Sequence, residues 1–143
     1  MDYFKAVEIS AAGMAAQKAR IEAATLNLAN MNTSIAPGAA GFRPVTAVIH
    51  AMSTPFSRVL NGGFQPLIKP QAVLAAQSGA AARAVYEPGH PDADAAGMVS
   101  YPAVNHTQEM LTVMTALRAY EANLAALQAT RTLAAKALEI GSQ

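Results

Sequence analysis

The chain has 143 residues, of which 52% are hydrophobic and only 13% are charged, about half the charged share usual in soluble globular proteins. Its net charge of +1 argues against the strong electrostatic footprint of a protein that binds nucleic acid or an anionic membrane. The absence of cysteine excludes disulfides, thiolate metal sites and thiol nucleophiles. About a quarter of the residues are alanine and none is tryptophan, so a large core is not expected. A chain with so few charges is expected to cover part of its surface by association.

The first predicted element is a long N-terminal helix. Residues 2–31 contain no proline and are rich in strong helix formers, and the asparagines of the Asn30–Thr33 run are expected to end the helix. Gly13 either weakens this helix locally or allows another helix to approach closely. Residues spaced alternately three and four apart predict one largely apolar stripe. Its members are Phe4, Val7, Ala11, Met14, Lys18, Ile21, Thr25 and Leu28.

The middle of the chain has a different composition. Residues 32–103 hold all eight prolines and most of the glycines, which indicates strands and loops. The sequence Asn61-Gly62-Gly63 predicts a turn, and residues 87–97 predict a long, tightly turned connection. Short segments rich in Val, Ile and Tyr are predicted to form strands at Val45–His50, Ala84–Tyr86 and Met98–Tyr101.

A second long helix is predicted near the C-terminus. Residues 104–140 contain no proline, and either Asn105 or Thr107 is expected to cap the start of the helix. Its stripe runs through about four heptads and would be an ordinary buried face in many proteins. Little else in this chain could cover it, so the partner is either the first helix or another copy. The stripe consists of Met110, Val113, Leu117, Tyr120, Leu124, Leu127, Arg131, Ala134 and Leu138.

These elements predict a mainly α fold. The N- and C-terminal helices are expected to form an antiparallel coiled coil with a small, irregular β/loop insert between them. The predicted domains are residues 1–33 for the N-terminal helix of the helical core, 34–103 for the insert and 104–143 for the C-terminal helix of the core.

Catalytic chemistry has little support in the sequence. His90, Asp92 and Asp94 could line a metal-binding loop, and a metal-dependent enzyme built on them is one hypothesis. Such residues beside Pro and Gly more often close turns, and the run lacks the terminal Glu of a calcium loop. We find no Gly-x-Ser-x-Gly motif and no glycine-rich phosphate loop. The sequence therefore predicts no enzyme, no catalytic residue, no metal and no cofactor.

Several motifs resemble those of a known family. Ile9–Met14 and the run Leu28-Ala29-Asn30-Met31-Asn32-Thr33 are similar to the N-terminal signature of bacterial flagellar axial proteins, the rod and hook proteins. Residues 86–97, which read Tyr-Glu-Pro-Gly-His-Pro-Asp-Ala-Asp-Ala-Ala-Gly, resemble the proximal-rod branch of that family. Further matching segments are Tyr101-Pro102, Val104-Asn105, Glu109-Met110, Arg118–Tyr120, Ala122-Asn123 and Leu138–Gly141.

This resemblance implies a structural role in motility. Subunits of the family stack helically into the rod, the drive shaft that transmits torque across the periplasm. The implied partners are other copies of the chain and the rod proteins FliE, FlgB, FlgF and FlgG, next to the MS ring. The resemblance also implies type III export without a cleaved signal peptide, and residues 1–10 show no signal-peptide pattern. No run of 18 apolar residues occurs, so we expect no membrane insertion, and we expect no nucleic-acid or small-molecule partner.

An assembly interface is predicted from the two stripes and the matching asparagines. An alternative is a soluble coiled-coil adaptor whose β insert binds a partner protein. The predicted interface residues are Val7, Met14, Ile21, Leu28, Asn30, Asn32, Met110, Leu117, Tyr120, Asn123, Leu124, Leu127 and Leu138.

Overall fold

A computed structural model describes residues 3–52, 69–77, 79 and 81–141 of the chain. Within these ranges the mainly α class is confirmed, with two helices and small pairs of strands between them. The turn predicted at Asn61-Gly62-Gly63 lies outside the described residues. In chain order the elements are α1 (Tyr3–Asn30), β1 (Val45–Met52), β2 (Lys69–Ala76), β3 (Arg83–Tyr86), β4 (Met98–Tyr101) and α2 (His106–Gly141).

Both helices begin and end close to the predicted positions. The last residue of α1 is Asn30, and the carbonyl of Asn30 accepts a hydrogen bond from the N–H of Thr33 at 3.0 Å as the chain turns away. At the start of α2, the Asn105 side chain accepts from the N–H of Gln108 at 3.2 Å. Asn105 is therefore the N-cap, which satisfies one of the free N–H groups of the first turn. Thr107 lies inside the helix.

The strands form two separate two-stranded sheets, β1 with β2 and β3 with β4. β3 and β4 are antiparallel, with Val85 opposite Val99 in their register. On its other edge, β4 forms one isolated bridge, in which the N–H of Ile35 donates to the carbonyl of Ser100 at 2.8 Å. The three predicted strands are confirmed, although β1 extends two residues further and β3 starts one residue earlier. β2 was not predicted, because its Ala-rich stretch and Pro70 carry a weak strand signal.

The chain's internal contacts group into two compact units. The first takes its residues from the ranges Met1–Ala19, Val48–Val73 and Thr115–Gln143, and the second from Arg20–Ala47 and Leu74–Met114. Each unit therefore contains part of α1 and part of α2.

Among the residues that the structure describes, the buried apolar side chains of each unit are mainly small. In the first unit Ala16 and Ala116 are buried, and Ala116 has no exposed surface. In the second unit the buried hydrophobic side chains are Ala23, Ala24 and Val99. Such small interior residues allow backbone segments to approach closely, although each one removes less apolar area from water than a leucine would.

Candidate assembly interface

A row of large apolar side chains on α2 faces solvent in the single chain. Met110, Leu117 and Leu124 are spaced by seven residues, so they share one helical stripe, and they are 43%, 45% and 38% exposed. Leu138 continues the spacing after Arg131 and is 76% exposed. Met114, one turn after Met110, widens the row and is 51% exposed. Met110 and Met114 lie in the second unit, and Leu117, Leu124 and Leu138 lie in the first. Monomeric proteins rarely leave so many large apolar side chains uncovered, so these residues are a candidate interface.

Many of the other predicted interface residues, on both helices, are partly covered by the chain itself. The predicted interface residues therefore divide into two groups that differ in exposure. Those that are half-buried are Val7, Met14, Ile21, Leu28, Asn30, Tyr120, Asn123 and Leu127, whereas Asn32, Met110, Leu117, Leu124 and Leu138 are exposed.

In the first unit the two helices come very close at Gly13. A β-carbon added there would lie 3.0 Å from Nδ2 and 3.1 Å from Oδ1 of Asn123. Of the two readings of Gly13, the close approach is therefore the one that the structure supports. Asn123, predicted as an interface residue, is brought against α1 of its own chain.

An apolar groove lies at one end of the same unit. Phe4 and Leu138 are among its walls and are 87% and 76% exposed, and one of the described lining residues, Arg131, is charged. The groove lies between the start of α1 and the end of α2. It is lined by Tyr3, Phe4, Val7, Thr130, Arg131, Ala134, Ala137 and Leu138.

The connection between β3 and β4 is held by hydrogen bonds of its acidic and histidine side chains. Oδ1 of Asp94 accepts from the N–H groups of Ala96 at 2.8 Å and Met98 at 2.9 Å. Oδ2 of Asp92 accepts from the hydroxyl of Ser34 at 2.5 Å, and Nδ1 of His90 accepts from the N–H of Asp92 at 3.1 Å. These bonds are typical of turn closure. In the part of the chain that the structure describes, no three His, Asp or Glu side chains form a group that could hold a metal ion.

Tyr101 on β4 forms a hydrogen bond with the first residue of this connection. Its hydroxyl donates to Oε2 of Glu87 at 3.1 Å, and the guanidinium of Arg83 lies 5.6 Å from the centre of its ring. Partial burial, together with the hydrogen bond to Glu87, raises the pKa of the Tyr101 phenol. The phenol is therefore a neutral hydrogen-bond donor at physiological pH.

The connection ends at Gly97, whose backbone only glycine adopts easily. Its φ is +75°, and an added β-carbon would lie 3.0 Å from the Tyr86 ring and 3.2 Å from Cβ of Pro88. We expect Gly97→Ala to lower the free energy of unfolding by about 1–2 kcal/mol, measured by chemical denaturation. Gly89→Ala, in the same connection, is the control because φ there is not positive and the added carbon meets nothing within 4 Å. Equal losses in the two variants would contradict this explanation.

Comparison with known proteins places this architecture in a family. The chain is 33% identical to the flagellar basal-body rod protein FlgC of Bacillus subtilis, in an alignment that covers 99% of both chains. It is 34% identical to FlgC of Salmonella typhimurium over 94% of both chains, and 31% identical to FlgC of Aquifex aeolicus over 97% of both. The chain belongs to the FlgC family of flagellar basal-body rod proteins. The resemblance found in the sequence motifs is thereby confirmed.

A family model also matches part of this FlgC-family chain. The model described as the flagellar basal body rod FlgEFG protein C-terminal region covers residues 95–140. That range contains β4 and almost all of α2, including the exposed apolar row. The described helices of this chain include none that is long and apolar enough to cross a membrane.

Two features of this FlgC-family chain were missed by reasoning from the sequence. The buried alanines escaped notice because periodicity analysis gives most weight to large apolar residues. Asn27, which is only 1% exposed, was not among the predicted interface residues. Its burial had no clear local signal, because Asn27 shares a face with Ala23 and Ala24, four and three residues earlier, and alanine occurs on both buried and exposed faces.

Proposed function

We propose that the chain is a subunit that stacks helically into the proximal rod and helps to transmit torque for motility. The observation that carries this proposal is the similarity to FlgC rod proteins over nearly the whole chain. The exposed apolar row on α2 supports it, because a subunit covered by neighbours can leave such a surface uncovered in the single chain.

The two helices pair in this proposal as an antiparallel coiled coil. Contacts inside each unit support this direction. In the first unit Gly13 lies against Asn123, and Phe4, nearer the start of α1, shares a groove with Leu138, nearer the end of α2. In the second unit, Nδ2 of Asn27 donates to Oε1 of Glu109 at 3.0 Å. The domain division into a helical core, residues 1–33 and 104–143, and an insert, residues 34–103, belongs to the same proposal.

Assembly would proceed through unlike surfaces. When the contacting patches of two subunits differ, each contact leaves a free patch for the next subunit, so the structure grows as a helix. The exposed residues Met110, Leu117, Leu124 and Leu138 would supply the apolar contacts, and the insert would bridge laterally to neighbours. The partners are other copies of the chain and the rod proteins FliE, FlgB, FlgF and FlgG, next to the MS ring.

The proposed location follows from the same role. FlgC relatives carry the name basal-body rod protein, and the rod crosses the periplasm. The subunit would reach this location unfolded, by type III export without a cleaved signal peptide. The adaptor alternative has no specific observation in its favour, because the similarity to rod proteins extends through both helices and the insert.

Deletion of the gene tests the rod proposal directly. Cells that lack the chain should be non-motile and should show basal bodies without a complete rod by electron cryotomography. Expression of the unaltered chain from a plasmid should restore both. A complete rod in the deleted cells would overturn the proposal.

A further inference from the structure

Asn27 is a buried polar side chain that joins three elements of the second unit. It lies near the end of α1 and is 1% exposed. Its Oδ1 accepts from the N–H of Val45 at 2.8 Å, and its Nδ2 donates to the carbonyl of Val45 at 2.9 Å. The same Nδ2 donates to Oε1 of Glu109 in the first turn of α2 at 3.0 Å.

The pair of bonds to Val45 imitates a strand partner. Val45 is the first residue of β1, and one amide side chain satisfies both its N–H and its C=O, as a neighbouring strand would. Next to this pair, the carbonyl of Pro44 accepts from the N–H of Gln77, which follows β2, at 2.8 Å. The start of β1 is therefore held by hydrogen bonds from Asn27 in α1 and from Gln77 after β2.

Burial makes these bonds depend on one another. A hydrogen bond that merely replaces one to water contributes little, but a buried donor or acceptor that loses its partner bears the full free-energy cost of having been removed from water. If α2 moves away, Nδ2 of Asn27 loses the Glu109 carboxylate, and if β1 moves away, both amide atoms lose Val45. Each element is therefore held in place partly by the presence of the other.

We propose that Asn27 couples the ordering of the insert to the pairing of the two helices. The start of β1 becomes ordered only when α1 and α2 are in contact at Asn27 and Glu109. This coupling is a property of the single chain, so it can hold or fail independently of the role in the rod.

Hydrogen–deuterium exchange of the purified full-length chain, read by mass spectrometry, tests the coupling. The decisive substitution is Glu109→Ala, which removes the acceptor in α2 and leaves Asn27 and β1 unchanged. We expect exchange in the peptide that contains Val45 to rise about tenfold. Glu109→Gln is the matched control, because it loses the same charge but keeps a carbonyl oxygen that accepts from Asn27, and it should exchange like the unaltered chain.

A second pair of variants examines α1. Asn27→Ala should raise exchange both at Val45 and in the first turns of α2. Asn30→Ala should raise it in neither, because Nδ2 of Asn30 bonds only locally, to the carbonyl of Leu26 at 2.8 Å. Equal exchange at Val45 in Glu109→Ala and Glu109→Gln would overturn the proposal. So would exchange at Val45 in the unaltered chain as fast as in an unfolded peptide.

Discussion

Leu124→Asp is expected to abolish motility while leaving the single chain folded. Leu124 is 38% exposed and lies in the centre of the apolar row on α2, so an aspartate there can remain hydrated in the isolated subunit. In an assembly, the substitution removes roughly a third of the 1.5–3 kcal/mol that burial of a whole leucine contributes, and it also places a charge in the contact. The same loss recurs in every copy. Soft-agar swimming and counts of complete rods in electron micrographs measure the effect.

Leu124→Met is the matched control for this prediction. It keeps an apolar side chain of similar volume and high helix propensity, so swimming should be nearly normal. Circular dichroism of the purified Leu124→Asp chain should show about the same helix content as the unaltered chain. Normal swimming of Leu124→Asp cells would show that the row is not an assembly surface.

Ala116→Leu is expected to destabilise the chain although it adds apolar area. Ala116 has no exposed surface, and a leucine there needs space that the first unit does not provide. Overpacking of this kind costs about 1–3 kcal/mol. For a chain of this size, each kcal/mol corresponds to a melting temperature lower by about 4 °C. Thermal unfolding followed by circular dichroism measures the change.

The neighbouring substitution Leu117→Ala provides the comparison. Leu117 is 45% exposed, so its truncation removes about half of the apolar burial of a core leucine and should cost the single chain about 1 kcal/mol. Leucine and alanine both favour helices, so propensity contributes little to the difference. If Leu117→Ala lowered the melting temperature more than Ala116→Leu, the buried face of α2 would have been assigned to the wrong side.

The helices could be predicted from sequence because their signals are local. Proline-free stretches of strong helix formers fixed α1 and α2 to within two residues at each end, and the Asn105 cap was one of two predicted candidates. The strands rich in Val, Ile and Tyr were also found. β2 was not, because its alanines favour a helix and its strand state depends on pairing with β1.

The candidate interface could be predicted only in part. Heptad spacing identified the row that contains Leu117 and Leu124, since large apolar residues dominate any periodic pattern. Spacing could not show which part of each stripe the chain covers by itself, because alanine is compatible with both a buried and an exposed face. The role of Asn27 depends on Val45 and Glu109, which are 18 and 82 residues away in sequence. A local sequence pattern does not predict contacts between residues so far apart in the chain.

The position of β4 between β3 and Ile35 affects how readily a strand of another molecule can pair with it. β4 pairs with β3 along one edge, and on the other edge the N–H of Ile35 occupies the carbonyl of Ser100, which shortens the row of backbone groups on which a foreign strand could dock. Growth by strand addition, the route to amyloid-like fibres, is therefore hindered at β4. In the proposed rod, the side chains of the helices, and not the free edge of a strand, would then set the geometry of stacking.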